Sequence, residues 1–353
     1  MAREAFPITP SVLTWARKRA GLSLDELSAK FADITDWESG SGGPTYAQLE
    51  RLSVTLKVPI ATFFFPSPPS TPPIEETFRT LPEASLESLP PRIRFLLRKA
   101  KAFQIGLSEL NQGKNPARSV ITQNLSYSSQ TNIKAMASEV RKFLNISLEE
   151  QMSWKDSETA LRAWRDVLYQ NGVYVFKDAF KVEGFFGFCL VDEQFPIIYV
   201  NNTAAKTRQI FTLFHELAHL FFNTSGIDSE GRVSISSSSA KQVEIACNRF
   251  AAEFLAPSSV IEKLRSERSI SRQLASDIAS SLNVSRELIY RRFVDQDLVS
   301  EGEYVEAAKA WTKQKVSSKG GDPYNSKISY LGREYISLAF SAYYQNRIRN
   351  RAS

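Results

Sequence analysis

Histidine is nearly absent from this chain, since only two of its 353 residues are histidine. Cysteine is equally scarce, and Cys189 and Cys247 lie in apolar stretches that form no metal-binding or disulfide pattern. The sequence contains no apolar run long enough to cross a bilayer and no leader-like start. These absences exclude a three-histidine metal site. They also predict a cytoplasmic protein with buried, reduced cysteines and no membrane partner.

Length and charge set further limits. A chain of 353 residues is longer than a typical single domain, and 42% hydrophobic with 23% charged residues is ordinary globular composition. Two or three domains are therefore expected. The net charge of +6 permits contact with nucleic acid without requiring it.

The two histidines lie four residues apart around a glutamate, in His-Glu-Leu-Ala-His at positions 215–219. Residues 210–222 are apolar nearly all round, which predicts a buried helix. On a helix, His215 and His219 share one face and can bind one ion from one side, while Glu216 reaches a water on that ion. A chance pair of core histidines is the alternative. It is disfavoured because two buried imidazoles beside a carboxylate need a compensating cation.

Zinc is the predicted metal, since it takes imidazole and carboxylate ligands and keeps one position open for water at catalytic sites. Glu244 is the best candidate for the third ligand, because it begins a helical pattern over 243–255 that can lie beside the first helix. Asp228 and Glu253 are the alternatives, although Glu253 is out of phase with Glu244. Asn248, one turn after Glu244, is placed to orient one of the metal-binding side chains by a hydrogen bond.

The stretches 208–219 and 244–257, with the strand-like 196–202 before them, resemble the ImmA/IrrE family of zinc metallopeptidases. The resemblance covers roughly residues 155–260. It implies a gluzincin-like core in which His215, His219 and Glu244 bind zinc and Glu216 is the general base. It also implies a substrate class, since family members cut, or are paired with, helix-turn-helix repressors of the XRE type.

Residues 11–65 resemble an XRE-type helix-turn-helix domain, with Trp-Glu-Ser-Gly at 37–40 and a capping box from Ser23 to Glu26. In that family a full recognition helix precedes the Trp-Glu pair. Here residues 31–37 leave room for about one turn, and Asp33 and Asp36 repel phosphates. Two expectations stay open for this domain: DNA binding, or docking of a protein such as a related repressor.

The remaining pattern predicts an α+β fold that is mostly helical. Helices are expected over 90–111, 131–144, 157–170 and 330–348, and three strands over 173–176, 187–191 and 196–200. A second helix-turn-helix-like unit at 271–293 carries Arg286, Arg291 and Arg292, which suit contact with a DNA or RNA backbone, but the family resemblance favours packing of this unit against the core. The predicted domains are the helix-turn-helix domain (1–65), a Pro-rich linker (66–82), a helical connector (83–150), the zincin-like core (151–257) and a C-terminal helical domain (258–353).

The functional expectation is a zinc-dependent regulatory endopeptidase acting on a repressor-type or neighbouring-gene toxin-type partner. With no histidine left over, Tyr199 or Arg208 is the expected donor to the oxyanion. Two alternatives stay open. One is an antitoxin-like or transcriptional regulatory protein whose core recognises a partner without cleaving it, and the other is a DNA-binding regulator with a vestigial core.

Overall fold

The computed structural model describes residues 5–69, 89–224, 227–229, 238–265, 268–312 and 330–345. The chain divides into two compact units, Met1–Lys99 and Ala100–Ser353. No helix among the described residues is long and apolar enough to span a membrane. Of the predicted Pro-rich linker, residues 66–69 form neither helix nor strand, and residues 70–82 lie outside the described ranges.

The first unit is helical. Its elements are α1 (Pro10–Ala20), α2 (Leu24–Ser28), α3 (Ile34–Ser39), α4 (Tyr46–Leu56) and a 3-10 turn (Ile60–Phe64). Gly21 ends α1 in the left-handed region at φ 76°, as glycine readily does. The predicted capping box is present at α2, where Glu26 N–H donates to the Ser23 hydroxyl and Ser23 N–H donates to the Glu26 carboxylate, at 3.1 and 2.7 Å.

Helix α3 has six residues and begins at Ile34. This confirms the prediction that only about one helical turn precedes the Trp-Glu pair. Trp37 is buried in the core of this unit, while Asp33 and Asp36 are exposed. Arg17 of α1 donates two hydrogen bonds to the Glu38 carboxylate, at 2.7 and 2.9 Å. This paired fork ties α3 to α1 with little exposure of either side chain.

Helix α5 (Pro91–Leu110) contains the boundary between the two units. The second unit continues with α6 (Ile121–Asn124), α7 (Ile133–Leu144), α8 (Leu148–Ser153), α9 (Ser157–Gln170), β1 (Tyr174–Asp178), β2 (Phe185–Leu190), β3 (Ile197–Asn201), α10 (Lys206–Phe221), β4 (Ile227–Ser229), α11 (Ser238–Leu255), α12 (Ser258–Arg265), α13 (Arg272–Leu282), α14 (Arg286–Asp295), α15 (Glu301–Thr312) and α16 (Arg333–Tyr344). The predicted helix 157–170 is confirmed residue for residue. Positions 346–348 of the last predicted helix lie outside the described residues.

The strands that the structure describes form one sheet in the order β1-β3-β2-β4. β1 pairs with β3 in parallel, and the other two pairs are antiparallel. The mixed sheet within a mostly helical chain confirms the α+β expectation. Three strands were predicted, and β4 was not, because three residues in a polar stretch carry no periodic signal.

Helix α10 lies on one face of this sheet and packs against α9 and α11. Their contact is aromatic: the Trp164 and Phe214 ring centroids lie 4.8 Å apart, and those of Phe214 and Phe254 lie 4.3 Å apart. The same hydrophobic core takes in Val200 and Ile198 from β3. Helix α10 is therefore enclosed on nearly all sides, which explains why its sequence is apolar around its whole circumference.

Helices α13 and α14 share that core through residues such as Ile278 and Phe293. Arg292 of α14 is buried and donates hydrogen bonds to Glu253 of α11 and to the Ser258 hydroxyl. The predicted packing of this helix-turn-helix-like unit against the core is confirmed. Its most basic helix uses Arg292 inside the protein rather than on nucleic acid.

Candidate metal centre

Three polar side chains on α10 are enclosed in the apolar core. His215, Glu216 and His219 are 1%, 0% and 2% exposed. They lie in the last three turns of a helix bounded by α9, α11 and the sheet. Such burial of three ionisable groups is unfavourable unless each group is paired or binds an ion.

Helix α11 brings Glu244 to the two histidines, as the sequence predicted. The Nε2 atom of His215 lies 3.4 Å from one carboxylate oxygen of Glu244, and Nε2 of His219 lies 3.1 Å from the other. The two Nε2 atoms are 3.3 Å apart. Within the described part of the chain, these three residues form a cluster with ligand atoms within 4.8 Å of one another, suited to holding a metal ion.

The opposite nitrogen of each ring has its own hydrogen-bond partner. Nδ1 of His215 lies 3.1 Å from the Asn248 side-chain oxygen, and Nδ1 of His219 lies 3.1 Å from the Thr224 hydroxyl oxygen. The Thr224 hydroxyl donates to the His219 carbonyl at 3.3 Å, so it accepts from the ring. With both Nδ1 atoms protonated, each Nε2 atom faces the space shared with Glu244, where it donates to the carboxylate when protonated and offers a lone pair to a metal ion when neutral.

The charges at the site favour an ionised Glu244. Burial by itself raises the pKa of this carboxyl group, but hydrogen bonds and positive charge from His215 and His219 outweigh burial and lower it well below the ordinary value. Cys247 lies close by and behaves in the opposite way. Burial first, and then the charges of Glu244 and Glu216, raise the pKa of its thiol well above the ordinary value. Cys247 is therefore a protonated core residue, and the prediction that this cysteine is buried is confirmed.

The other sequence candidates lie elsewhere or stay untested. Glu253 is buried in its pair with Arg292, away from the histidines. Asp228 lies on β4, where its backbone pairs with Gly187 of β2, and its side chain is outside the described part of the structure. Arg208 lies on α10 two turns before His215, with its guanidinium 3.9 Å from the Phe186 ring. Its role toward the oxyanion remains a prediction.

The prediction of Tyr199 as an oxyanion donor is wrong. Its ring stacks on Phe188 at 5.0 Å between centroids, and its hydroxyl lies 3.5 Å from Asp178. Side chains alternate along a strand, and Ile198 and Val200 on either side of it face the core that contains α10. Tyr199 therefore points from the opposite face of the sheet.

Two further residues at the site were not found from the sequence. Thr224 follows α10 after a short turn, and no spacing rule connects it to His219. Gly187 of β2 faces α10, where an added Cβ atom would lie 2.3 Å from Cγ2 of Thr212 and 3.5 Å from Cγ of Glu216. An isolated glycine inside a strand is the signal that could have indicated this close approach.

Comparison with known families connects this geometry with a described domain. Residues 170–294, about a third of the chain, match the family model of the IrrE N-terminal-like domain, peptidase family M78. The match supports an ImmA/IrrE-type family for this segment, and it runs from the end of α9 to the end of α14. Comparison with curated proteins gives no significant match.

Proposed function

We propose that the chain is a zinc-dependent endopeptidase with a regulatory role. The observation that carries this proposal is the convergence of His215, His219 and Glu244 beside the buried carboxylate of Glu216. The family match supports it, because the matched segment contains all four residues and the family is named as a peptidase family.

The donor set fits zinc. A tetrahedral zinc ion with bonds of about 2.1 Å to nitrogen and oxygen separates its ligand atoms by about 3.4 Å. Here the Nε2 atoms are 3.3 Å apart, close to that spacing, and each lies near a different oxygen of the Glu244 carboxylate, at 3.4 Å for His215 and 3.1 Å for His219. Asn248 and Thr224 hold the rings in the orientation that such an ion requires.

A bound zinc ion would act as a Lewis acid and lower the pKa of a water molecule to about 7. The protein supplies the proton transfers. Glu216 follows His215 directly, and its carboxylate accepts a proton from the water that attacks the scissile carbonyl carbon. Glu216 then delivers that proton to the leaving amide nitrogen. Its complete burial keeps bulk water from competing for the proton.

The sheet offers a place for an extended substrate. β4 lies at one end of the strand order, next to β2, and pairs on that side alone among the described strands. A peptide can add to such an edge by main-chain hydrogen bonds. At the opposite end, Arg165 of α9 donates to the Val175 carbonyl of β1 at 2.9 Å and covers part of that edge. We therefore assign β4 as the edge that binds substrate.

The regulatory part of the proposal rests on the first unit. It has the short helices expected of an XRE-like fold, but α3 has six residues and exposes Asp33 and Asp36. Acidic groups on that surface favour docking a protein, such as an XRE-type repressor or the toxin-type product of a neighbouring gene, over reading DNA. The same feature supports a second candidate, an antitoxin-like or transcriptional regulatory protein that binds its partner without cleaving it.

One experiment separates these functions. The full chain is loaded with zinc and incubated with the purified product of the neighbouring gene, and both complex formation and new peptide termini are measured. We expect cleavage by the natural chain and by the surface variant Glu109→Gln. We expect Glu216→Gln to retain zinc and to lose cleavage by at least about a hundredfold.

Cleavage by Glu216→Gln at the natural rate would show that the mechanism is wrong. A tight stoichiometric complex without new termini, with zinc bound, would favour the binding protein.

A further inference from the structure

A cavity of about 350 Å³ lies at the β1 edge of the sheet. Its walls come from α9, β1 and the residues that begin α16, all within the second unit. None of its lining residues belongs to the cluster of His215, His219 and Glu244. It is large enough for a small organic molecule.

A buried lysine faces this cavity. Lys177 of β1 is 3% exposed, and no described residue makes a hydrogen bond or ion pair with its ammonium group. Its charged neighbours Arg165 and Lys206 repel it, and Glu158, the carboxylate that attracts it, is already held by Lys206 at 2.8 Å. Burial, followed by these two positive charges, lowers the pKa of Lys177 to about 7. An isolated buried cation of this kind is unfavourable unless an anion joins it.

The start of α16 also lines the cavity, and Gly332 precedes this twelve-residue helix with φ 85°. One nitrogen of Arg165 lies 3.3 Å from the position of a Cβ atom at Gly332, and one carboxylate oxygen of Glu334 lies 3.6 Å from the same position. Arg165 and this helix end therefore already have an acidic neighbour, and Lys177 is the buried cation that a ligand can neutralise.

The remaining wall is acidic on one side and aromatic on the other. Asp166 and Glu334 line the cavity, and burial followed by the charge of Glu334 raises the pKa of Asp166. Phe176 and Tyr335 meet edge to face with centroids 5.2 Å apart and give the cavity an apolar surface. These two acidic groups are close to each other and act on Arg165, whereas neither is among the charges that act on Lys177.

We propose that this cavity binds a small organic anion, with its carboxylate or phosphate group against Lys177 and its apolar body against Phe176 and Tyr335. The ligand supplies the negative charge that Lys177 lacks. The aromatic wall favours a ring or short chain over a bare inorganic ion. The proposal does not depend on peptidase activity, because it concerns separate residues.

Calorimetric titration of the full chain tests this assignment with three probes of similar shape: benzoate, phenyl phosphate and the neutral benzamide. We expect one-to-one binding of at least one acid, tighter than benzamide by about 10- to 100-fold, the usual weight of a charge-assisted contact. The preferred acid identifies the headgroup as a carboxylate or a phosphate. Lys177→Met should lose this preference, while Lys134→Met, at an exposed position on α7, should keep it.

The pH dependence gives a second measurement. Benzoate stays ionised at neutral and basic pH, so its affinity should fall as the pH rises above about 7, where free Lys177 loses its proton. The slope should vanish in Lys177→Met and in Lys177→Gln, whose fold is checked by circular dichroism. The other charged or titratable groups that face the cavity or Lys177 are Glu158, Arg162, Arg165, Asp166, Tyr169, Tyr174, Lys206, Arg333, Glu334 and Tyr335.

Equal binding of benzamide and the two acids would overturn the proposal, as would failure of both acids to bind. Unchanged acid binding in folded Lys177→Met would also overturn it.

Discussion

The side-chain oxygen of Asn248 lies 3.1 Å from Nδ1 of His215, one helical turn beyond Glu244 on α11. One helix therefore supplies both the carboxylate of the cluster and the group that orients one of its imidazoles. Because an amide oxygen can only accept, the contact fixes a proton on Nδ1 and leaves Nε2, on the side of Glu244, as the nitrogen that can bind a metal ion.

Removing this contact should weaken metal binding without abolishing it. Asn248→Ala frees the His215 ring to rotate and is expected to lower zinc affinity by about 10- to 100-fold, the usual effect of losing such a partner. Asn248→Asp keeps an acceptor and should bind zinc at least as well as the natural chain. Competition with a chromophoric chelator measures the affinity, and Arg249→Ala, at an exposed neighbouring position, is the control. Equal affinity in Asn248→Ala and the natural chain would contradict the orienting role.

The contact between Gly187 and Thr212 should control how closely α10 approaches the sheet. A Cβ atom at position 187 would lie 2.3 Å from Cγ2 of Thr212 and 3.1 Å from the Tyr199 carbonyl oxygen. Gly187→Ala should therefore lower the free energy of unfolding by about 1–3 kcal/mol. Thr212→Ser removes the clashing methyl group and keeps the hydroxyl, so the double variant should recover part of this loss.

Urea unfolding of the four members of this cycle measures the coupling. Gly302→Ala on α15 is the control, since the nearest atom to its Cβ would be 3.9 Å away. If Thr212→Ser did not reduce the loss of stability caused by Gly187→Ala, the contact with the Tyr199 carbonyl oxygen would be its cause instead.

The buried pair of Arg292 and Glu253 should hold α14 against α11. The Arg292 side chain also donates to the Ser258 hydroxyl at 2.6 Å, and Ser258 donates to Glu253 at 2.9 Å. Arg292→Ala leaves the Glu253 carboxylate buried without its cation, which is expected to destabilise the fold by about 3–5 kcal/mol. The combined change of Arg292→Met and Glu253→Met should cost less than Arg292→Ala. Thermal unfolding measures the stability of both variants. If both lost the same stability, the loss in Arg292→Ala would not come from leaving the Glu253 charge unpaired.

Lys177 should make stability depend on pH. Its pKa falls from 10.5 in the unfolded chain to about 7 in the fold, so between these values the unfolded chain binds a proton that the folded chain does not. Stability should therefore be lowest below pH 7 and rise as the pH increases toward 10.5. Lys177→Met removes this effect and should raise the free energy of unfolding at pH 7 by about 1–3 kcal/mol.

Urea unfolding at pH 7 and pH 9.5 measures this slope, with Lys134→Met as the control. If the free energy of unfolding changed with pH equally in Lys177→Met and Lys134→Met, titration of Lys177 would not be the cause of the change.

The parts of the site that were predictable are those carried by spacing along one helix. His215 and His219 are four residues apart, so a helix places them on one face. The apolar positions around Glu244 predicted a second helix with Glu244 on the side that faces the two histidines. Asn248 followed from the same periodicity. Helix ends were also predictable where a cap is encoded locally, as at Ser23 with Glu26.

The parts that were missed depend on contacts between distant segments or on weak local signals. Thr224 reaches His219 because of the turn that follows α10, and no residue pattern encodes that turn. Short elements such as α6 and β4 have too few residues to show a period. The error at Tyr199 has a different cause. Its neighbours Ile198 and Val200 belong to the core face, so strand alternation alone would have directed its ring away from the site.

The proposed function requires that His215, His219 and Glu244 hold one zinc ion, and metal analysis of purified variants is the direct test. After loading with zinc and dialysis against a weak chelator, the natural chain and Glu216→Gln should each retain about one zinc per chain. Glu244→Ala should retain almost none, while Glu109→Ala should match the natural chain. A natural chain that binds no zinc, or Glu244→Ala that retains one zinc per chain, would show that these three residues do not form a zinc site.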